Sequence, residues 1–210
     1  MDDRLPLFPL GLVLLPGEPV PLHIFEPRYR EMVALCLRED RPFGILHASE
    51  KALAKVGTTA RIRRVVTRYE DGRLDIVVSG EARFRLTKVH RDKAYLCGDI
   101  APMEDAEGAE ADAAVRQRVI TQHMKLVEMA GGDVRPDLYD GPPEVSFIVA
   151  RNAGLELGQK QELLEMRSEG KRLAYLAGHF KGIIKRVRKA KKIHDLSRGD
   201  GHADGFPELE

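Results

Sequence analysis

The sequence is poor in the features that mark compartment or chemistry. Across 210 residues it carries only two cysteines, Cys36 and Cys97. Two isolated thiols make neither a disulfide framework nor a zinc site, and free cysteine is mostly a buried residue. Both are expected in the core of a protein kept in a reducing compartment. No stretch approaches the ~20 apolar residues that cross a bilayer, and the run at 10–15 is about one strand long. The start, Met1-Asp2-Asp3-Arg4, lacks the basic region and apolar stretch of a signal peptide. A cytoplasmic protein without a membrane partner is therefore expected. Excess charge is missing too: the formal net charge is +1, so no global field selects a polyanion. No internal repeat is present, and no sustained heptad marks a coiled coil.

What is present is a soluble globular composition, 43% hydrophobic and 32% charged. The length suits one large domain or two small ones. The character of the chain changes near residue 105, from strand patterns to helix patterns. Leu5-Pro6-Leu7-Phe8-Pro9-Leu10 reads as an edge strand, because proline offers no N–H to a ladder. Pro16-Gly17 is a turn, and 20–25 is a second strand. A helix starts at Pro27, with Tyr29, Met32, Val33, Cys36 and Leu37 as its buried stripe. Phe25 is expected to join Tyr29 and Met32 in packing that helix on a sheet. A short strand follows at 43–47, and then a meander. Ala60 and Ile62 alternate with arginines, and the pattern slips at Val65-Val66, a bulge. Asp71-Gly72 is a hairpin turn. Ser79-Gly80-Glu81 and Arg91-Asp92-Lys93 are read as further turns between strands. Such regular short strands predict a small antiparallel sheet closing into a partial barrel.

The second half reads as about four helices. Val115, Val119, Leu126 and Val127 mark the first, stopped by Gly131-Gly132. A loop with three prolines covers 133–143, and Pro143 sits where a helix with Val145, Ile148 and Val149 can begin. A short helix carries Leu163 and Leu164. Leu173, Leu176, Phe180, Ile183, Ile184 and Val187 give the last helix one long apolar stripe, which needs partner helices. The expected division is a β-rich part at 1–104, a helical part at 105–196, and a glycine- and charge-rich tail at 197–210 that is expected to be disordered.

Leu5-Pro6-Leu7-Phe8-Pro9-Leu10, then Pro16-Gly17, then Leu22-His23-Ile24-Phe25-Glu26-Pro27-Arg28-Tyr29 open the chain. Phe43-Gly44-Ile45, Val56-Gly57-Thr58, Asp71-Gly72 and Gly80-Glu81-Ala82-Arg83-Phe84-Arg85 follow, and Lys160-Gln161-Glu162-Leu163-Leu164-Glu165 and Arg172-Leu173 stand in the helical half. Together these segments resemble the opening, the next motifs and the helical signature of the LON domain found at the N-terminus of Lon proteases. Arg167-Ser168-Glu169 departs from the acidic stretch more usual there. The resemblance runs from about residue 4 to 188. It implies an α+β fold: an N-terminal PUA-like, partly closed antiparallel β-barrel subdomain with one packed helix, then a C-terminal α-helical bundle. It implies a free-standing bacterial LON-domain protein that binds unfolded or partly unfolded polypeptide, or a specific protein partner, and it allows a homodimer. Core and turn requirements alone explain most of the motif residues.

Catalytic chemistry finds no foothold. There is no phosphate-cradling G-x-x-x-x-G-K-[ST] loop, and Gly154 to Lys160 has the wrong spacing. Ser168-Glu169-Gly170-Lys171 fits the loose S-x-x-K pattern, but companion motifs are absent and Ser168 suits a helix cap. His23, His47, His90, His123, His179, His194 and His202 show no metal spacing. No enzyme, cofactor or metal is expected. The alternative to polypeptide binding is nucleic-acid binding through a basic run at the end of the last helix. Lys181, Lys185, Arg188 and Lys192 are its candidate phosphate-binding residues. A solvated helix face explains the same run, and no aromatic residues interleave for base stacking.

Overall fold

The computed structural model describes residues 4–50, 52–106, 110–140 and 144–199, with side chains as far as residue 186. Among these residues there are six strands: β1 (Leu5–Leu10), β2 (Pro19–Ile24), β3 (Phe43–His47), β4 (Val56–Arg68), β5 (Leu74–His90) and β6 (Leu96–Pro102). There are five α-helices: α1 (Pro27–Glu39), α2 (Ala113–Met129), α3 (Val145–Arg151), α4 (Leu157–Glu165) and α5 (Glu169–Gly199). One 3-10 turn, Pro136–Tyr139, lies inside the proline-bearing loop. Residues 197–199, expected in the tail, continue α5, while 200–210 lie outside the described residues, as does Pro143.

The sheet is mixed rather than purely antiparallel, and this corrects the expected barrel. Its order is β2-β5-β4-β3-β1-β6, and β5 also pairs with β6. The pair β1–β3 is parallel. Parallel neighbours need a crossover connection, and α1 lies on the chain between them. The far half of β5 pairs with β6, so the pairings return on themselves. Register shifts along β4 and β5, with β2 left outside the ring, keep this from being a clean barrel.

Two further expectations are corrected. First, β1 is an interior strand, between β3 and β6. Its prolines are tolerated because each has a partner strand on one side only. Pro6 faces Cys97 of β6 before the β3 pairing starts, and Pro9 faces Leu46 of β3 after the β6 pairing ends. The edge strand is β2. Second, Ser79-Gly80-Glu81 is not a turn but the middle of the 17-residue β5, where its neighbour changes from β2 to β6. A glycine is needed there for a different reason: a Cβ on Gly80 would lie 2.3 Å from the Leu15 carbonyl oxygen.

Helix α1 forms much as its sequence implies. Pro27 opens it, and the Glu26 carbonyl accepts the Tyr29 and Arg30 N–H groups. Asp40 closes it in the left-handed conformation at φ 46, donating its N–H to Cys36. Tyr29, Met32, Val33 and Cys36 are buried with Phe8, Ile24, Phe43 and Ile76 in the core beneath the sheet. The Phe8 and Tyr29 rings lie 4.2 Å apart. Both thiols are buried. Burial pushes Cys36 up to about 11, against the opposing pull of Arg41, which leaves it unreactive at neutral pH.

The helical core is built around Val119, Phe147, Leu164, Leu173, Leu176 and Phe180. Val13, Leu15 and Val56 from the strand-rich half complete it, so apolar burial continues across the junction. Asp112 caps α2, its Oδ1 accepting from Ala114 N at 2.8 Å, and Ser168 Oγ accepts from Lys171 N at 3.3 Å at the start of α5.

Gly80→Val drives a branched side chain into the Leu15 carbonyl. The expected loss is about 2 kcal/mol or more, roughly 4–8 °C in melting temperature for a domain of this size. A thermal melt within a degree of the parent would show that the strand does not need this close approach.

Candidate functional site

Three groups of residues stand out. The first lies where the strands meet the helices. Arg172 of α5 is fully buried at 0% exposure. Its guanidinium forms a two-point ion pair with Asp105, Nη1 to Oδ1 and Nη2 to Oδ2, both 2.6 Å. The same group donates to Glu169 Oε2 at 2.9 Å, to the Met166 carbonyl at 2.9 Å and, through Nε, to Ser146 Oγ at 2.8 Å. It lies 4.4 Å over the Phe147 ring. Arg83 of β5, also buried, joins from the other side. It donates to the Leu164 and Met166 carbonyls at 3.1 and 2.7 Å and to Asp105 Oδ1 at 2.5 Å. Glu169 in turn accepts from Ser146 N at 2.9 Å, holding the start of α3.

This cluster links β5, the connector after β6, α3, the end of α4 and α5. Burial raises the Asp105 carboxyl, but the guanidinium groups of Arg172 and Arg83 outweigh it and hold the group below the usual carboxylate range. Donors and acceptors are matched, so the cluster is a lock and not a reactive centre.

The helical signature adds further ties. Gln161 Nε2 donates to the Val56 carbonyl at 3.1 Å, and Lys160 Nζ lies 3.4 Å from Glu18 Oε1. Thr58 Oγ1 donates to the Leu14 carbonyl at 2.6 Å. Arg151 Nη2 donates to the Pro16 carbonyl at 2.9 Å. Among the motif residues, Arg83, Lys160, Gln161 and Arg172 therefore tie the two halves together.

Phe25 is the exception, and it overturns the expectation of a core role. It is 59% exposed, stacked on His23 at 5.9 Å. His23 meets the Tyr69 ring edge-on at 5.9 Å. Asp75 fixes this surface, accepting from Tyr69 at 2.7 Å and lying 2.6 Å from His23 Nδ1. The neighbouring open edge, β2, resists strand addition. The Glu18 carbonyl accepts from Gly80 of β5, so by the alternation of a strand residues 20, 22 and 24 face β5. That leaves Pro19, Pro21 and His23 facing outward, and two of these three have no N–H to offer.

The third group is an apolar pocket of about 540 Å³ in the helical half. Leu126, Val127 and Met129 at the end of α2, Ala153 and Gly154 after α3, and Ile183 of α5 line it. Met129 is 47% exposed. A flexible thioether on an open apolar wall adapts to varied apolar side chains. By contrast, the space between the two halves is filled by the lock residues and by Val13, Leu15 and Val56.

Of the predicted phosphate-binding residues, Lys181 and Lys185 are exposed, while the side chains of Arg188 and Lys192 lie outside the described residues. Helical spacing puts all four positions on one stripe, roughly opposite Ile183 and the pocket. A solvated face accounts for that placement. Ser168 caps α5. Among the described residues no group of three His, Cys, Asp or Glu side chains could hold a metal ion. His123 is buried, its Nδ1 2.8 Å from Tyr139 Oη. His90 pairs with Asp99 at 3.0 Å, His179 lies 2.9 Å from the Ala153 carbonyl, and His47 is half-buried in β3. The side chain of His194, and His202 altogether, lie outside the described residues. No helix among the described residues is long and apolar enough to cross a membrane.

Sequence reasoning missed Asp105, hidden in an acidic stretch that read as a solvated connector, and the pocket. A signal for the pocket was present: Gly131-Gly132 stops α2 while the stripe on the last helix runs on through Ile183.

Known proteins share this architecture. Residues 4–181 match the family model described as the ATP-dependent protease La (LON) substrate-binding domain. The chain is 25% identical over 197 residues to Lon protease 1 of Hydrogenovibrio crunogenus, covering 87% of this chain and 24% of that protein. It is 27% identical over 214 residues to Lon protease of Paraburkholderia phytofirmans, covering 94% and 26%. The chain thus spans about a quarter of the length of these relatives. The crystal structure of a Lon N-terminal domain protein from Xanthomonas campestris superimposes with a TM-score of 0.67 at 29% identity, over 84% of this chain and 98% of that one. The N-terminal domain of Mycobacterium avium complex Lon protease gives 0.69 at 20% identity, over 85% and 98%, a likeness of fold.

Asp105→Asn leaves Arg172 and Arg83 short of a buried counter-charge. The expected cost is about 3 kcal/mol at neutral pH. Because the folded-state pKa of Asp105 is depressed, its contribution is complete above its unfolded value of ~3.9 and disappears as pH falls through the folded value. Denaturant unfolding at pH 7 and at pH 3 should therefore show a smaller gap between parent and variant at the lower pH. An equal gap at both pH values would contradict the assignment.

Proposed function

Because the chain belongs to the family of ATP-dependent protease La (LON) substrate-binding domains, we propose that it is a non-catalytic module that binds polypeptide through exposed apolar surface. The observation that carries this reading is the open apolar pocket at the end of α2, with Met129 on its wall. An unfolded chain presents apolar side chains that a folded one hides, and an accessible apolar pocket of this size accepts them without demanding a particular sequence. The exposed Phe25 adds a second apolar contact on the strand half.

The mode of capture is side-chain burial and not strand addition, since Pro19 and Pro21 blunt the open edge of β2. The lock at the junction has no role in contacting polypeptide in this reading; it keeps the pocket walls in place by fixing α3 and α5. Two buried free thiols suit a reducing compartment, and the cytoplasm is the setting we assign.

A permanently unfolded, reduced and alkylated model protein should bind the full chain in a fluorescence anisotropy titration. Met129→Asp places a charge on the pocket wall at a half-exposed position, so it should weaken binding about tenfold or more, ~1.4 kcal/mol, with an unchanged melting temperature. Undiminished binding by this variant would move the site elsewhere. No binding by the parent would remove the polypeptide reading altogether.

A further inference from the structure

Every buried or half-buried arginine among the described residues donates to a carboxylate or a carbonyl oxygen, with one exception. The exception is Arg30 of α1. Its side chain makes no hydrogen bond or ion pair with any described residue. Asp71 feels its charge, but that carboxylate is already held by Arg73, which donates Nε to Oδ2 at 2.7 Å and its backbone N–H to Oδ1 at 3.1 Å. A guanidinium taken partly out of water without a partner is costly.

Arg30 is nonetheless held in place. Its guanidinium lies over the hairpin turn at Gly72, where an added Cβ would overlap Nη2 and lie 2.8 Å from Cζ. Arg68, at the end of β4, also makes no hydrogen bond or ion pair with a described residue, and both arginines line one pocket of about 550 Å³. Pro27 and Ala34 of α1 and the buried Leu74 give this pocket an apolar wall. The Tyr69 hydroxyl on its rim is engaged with Asp75 at 2.7 Å. Glu31 is the single carboxylate on the lining, and the two guanidiniums outnumber it. Two like charges facing one space repel each other, and a bound anion relieves that repulsion while giving Arg30 its missing partner.

We infer that this pocket binds a carboxylate joined to a small apolar body. The planar fork of a guanidinium matches a carboxylate with two parallel hydrogen bonds. Arg30 and Arg68 supply the donors, and the apolar part of the ligand lies against Leu74, Ala34 and Pro27. The site is separate from the apolar pocket at the end of α2 and goes beyond the polypeptide-binding reading. A free organic acid and the C-terminal end of a polypeptide both carry this chemistry, and the test separates them.

The probes are isocaproate, its amide, a short peptide ending in leucine with a free or an amidated terminus, and inorganic phosphate, each titrated calorimetrically into the full chain at low salt. The carboxylates should bind about tenfold or more tightly than their amides. That affinity should fall about tenfold or more in Arg30→Gln and in Arg68→Gln, the latter at an exposed position, and stay unchanged in Met129→Asp. Circular dichroism checks that each variant folds. A peptide that binds more tightly than isocaproate assigns the carboxylate to a chain terminus; equal affinities assign the site to any acid of this shape. Amides or phosphate that bind as tightly as the carboxylates, an unchanged affinity in Arg68→Gln, or no binding by any probe would overturn the site. The effect of Met129→Asp on the unfolded model protein reports on the other pocket alone, so either reading can fail without the other.

Discussion

A guanidinium group without water must be surrounded by partners, and that requirement organises this fold. Arg172 has no exposed surface, so its charge has to be balanced from within. Asp105 supplies two oxygens, Glu169 another, and the end of α4 a carbonyl. These groups come from three places in the chain, and Arg83 brings β5 to the same point. Removing Asp105 would leave two buried guanidinium groups short of counter-charge, which costs more than never having buried them. Strands and helices are thus fastened at one shared point. Two signatures that lie far apart in sequence, Gly80 to Phe84 and Arg172-Leu173, turn out to be halves of one cluster.

That fastening bears on where a partner can bind. The junction between the halves is filled by the lock and by Val13, Leu15 and Val56. Among the described residues, open apolar surface includes Phe25 and the end of α2, where Met129 stands on the pocket wall. The open strand edge is closed to hydrogen bonding by proline. What remains is a surface suited to recognising exposed apolar side chains, consistent with the substrate-binding family to which the chain belongs.

Much of the architecture was legible in the sequence where one physical rule acted alone. The stripe from Tyr29 to Cys36 needed only helical spacing, and Asp71-Gly72 needed only turn chemistry, with Gly72 at φ 83. Asp112 and Ser168 cap their helices, Ser168 as expected. The reading failed where a residue type answers two different needs. Proline in β1 suggested an edge, yet a staggered pairing hides both prolines in an interior strand. Glycine at 80 suggested a turn, yet it serves a close backbone approach. Phe25 followed the hydrophobic pattern of a core residue but faces solvent, because the chain leaves the sheet at Ile24 and α1 begins only at Pro27. Asp105 could not be told from the acidic residues around it, since its partners are 22 and 67 residues away.

The central claim is that polypeptide is held at the end of α2 and against α5, on a scaffold fixed by Arg172. Amide hydrogen exchange on the full chain, with and without a saturating unfolded model protein, addresses it most directly. The account predicts slowed exchange confined to residues 126–132 and to α5 around Ile183, with β2 and the amides around Arg172 unchanged. Protection along β2, or a shift centred on the Arg172 cluster, would contradict it.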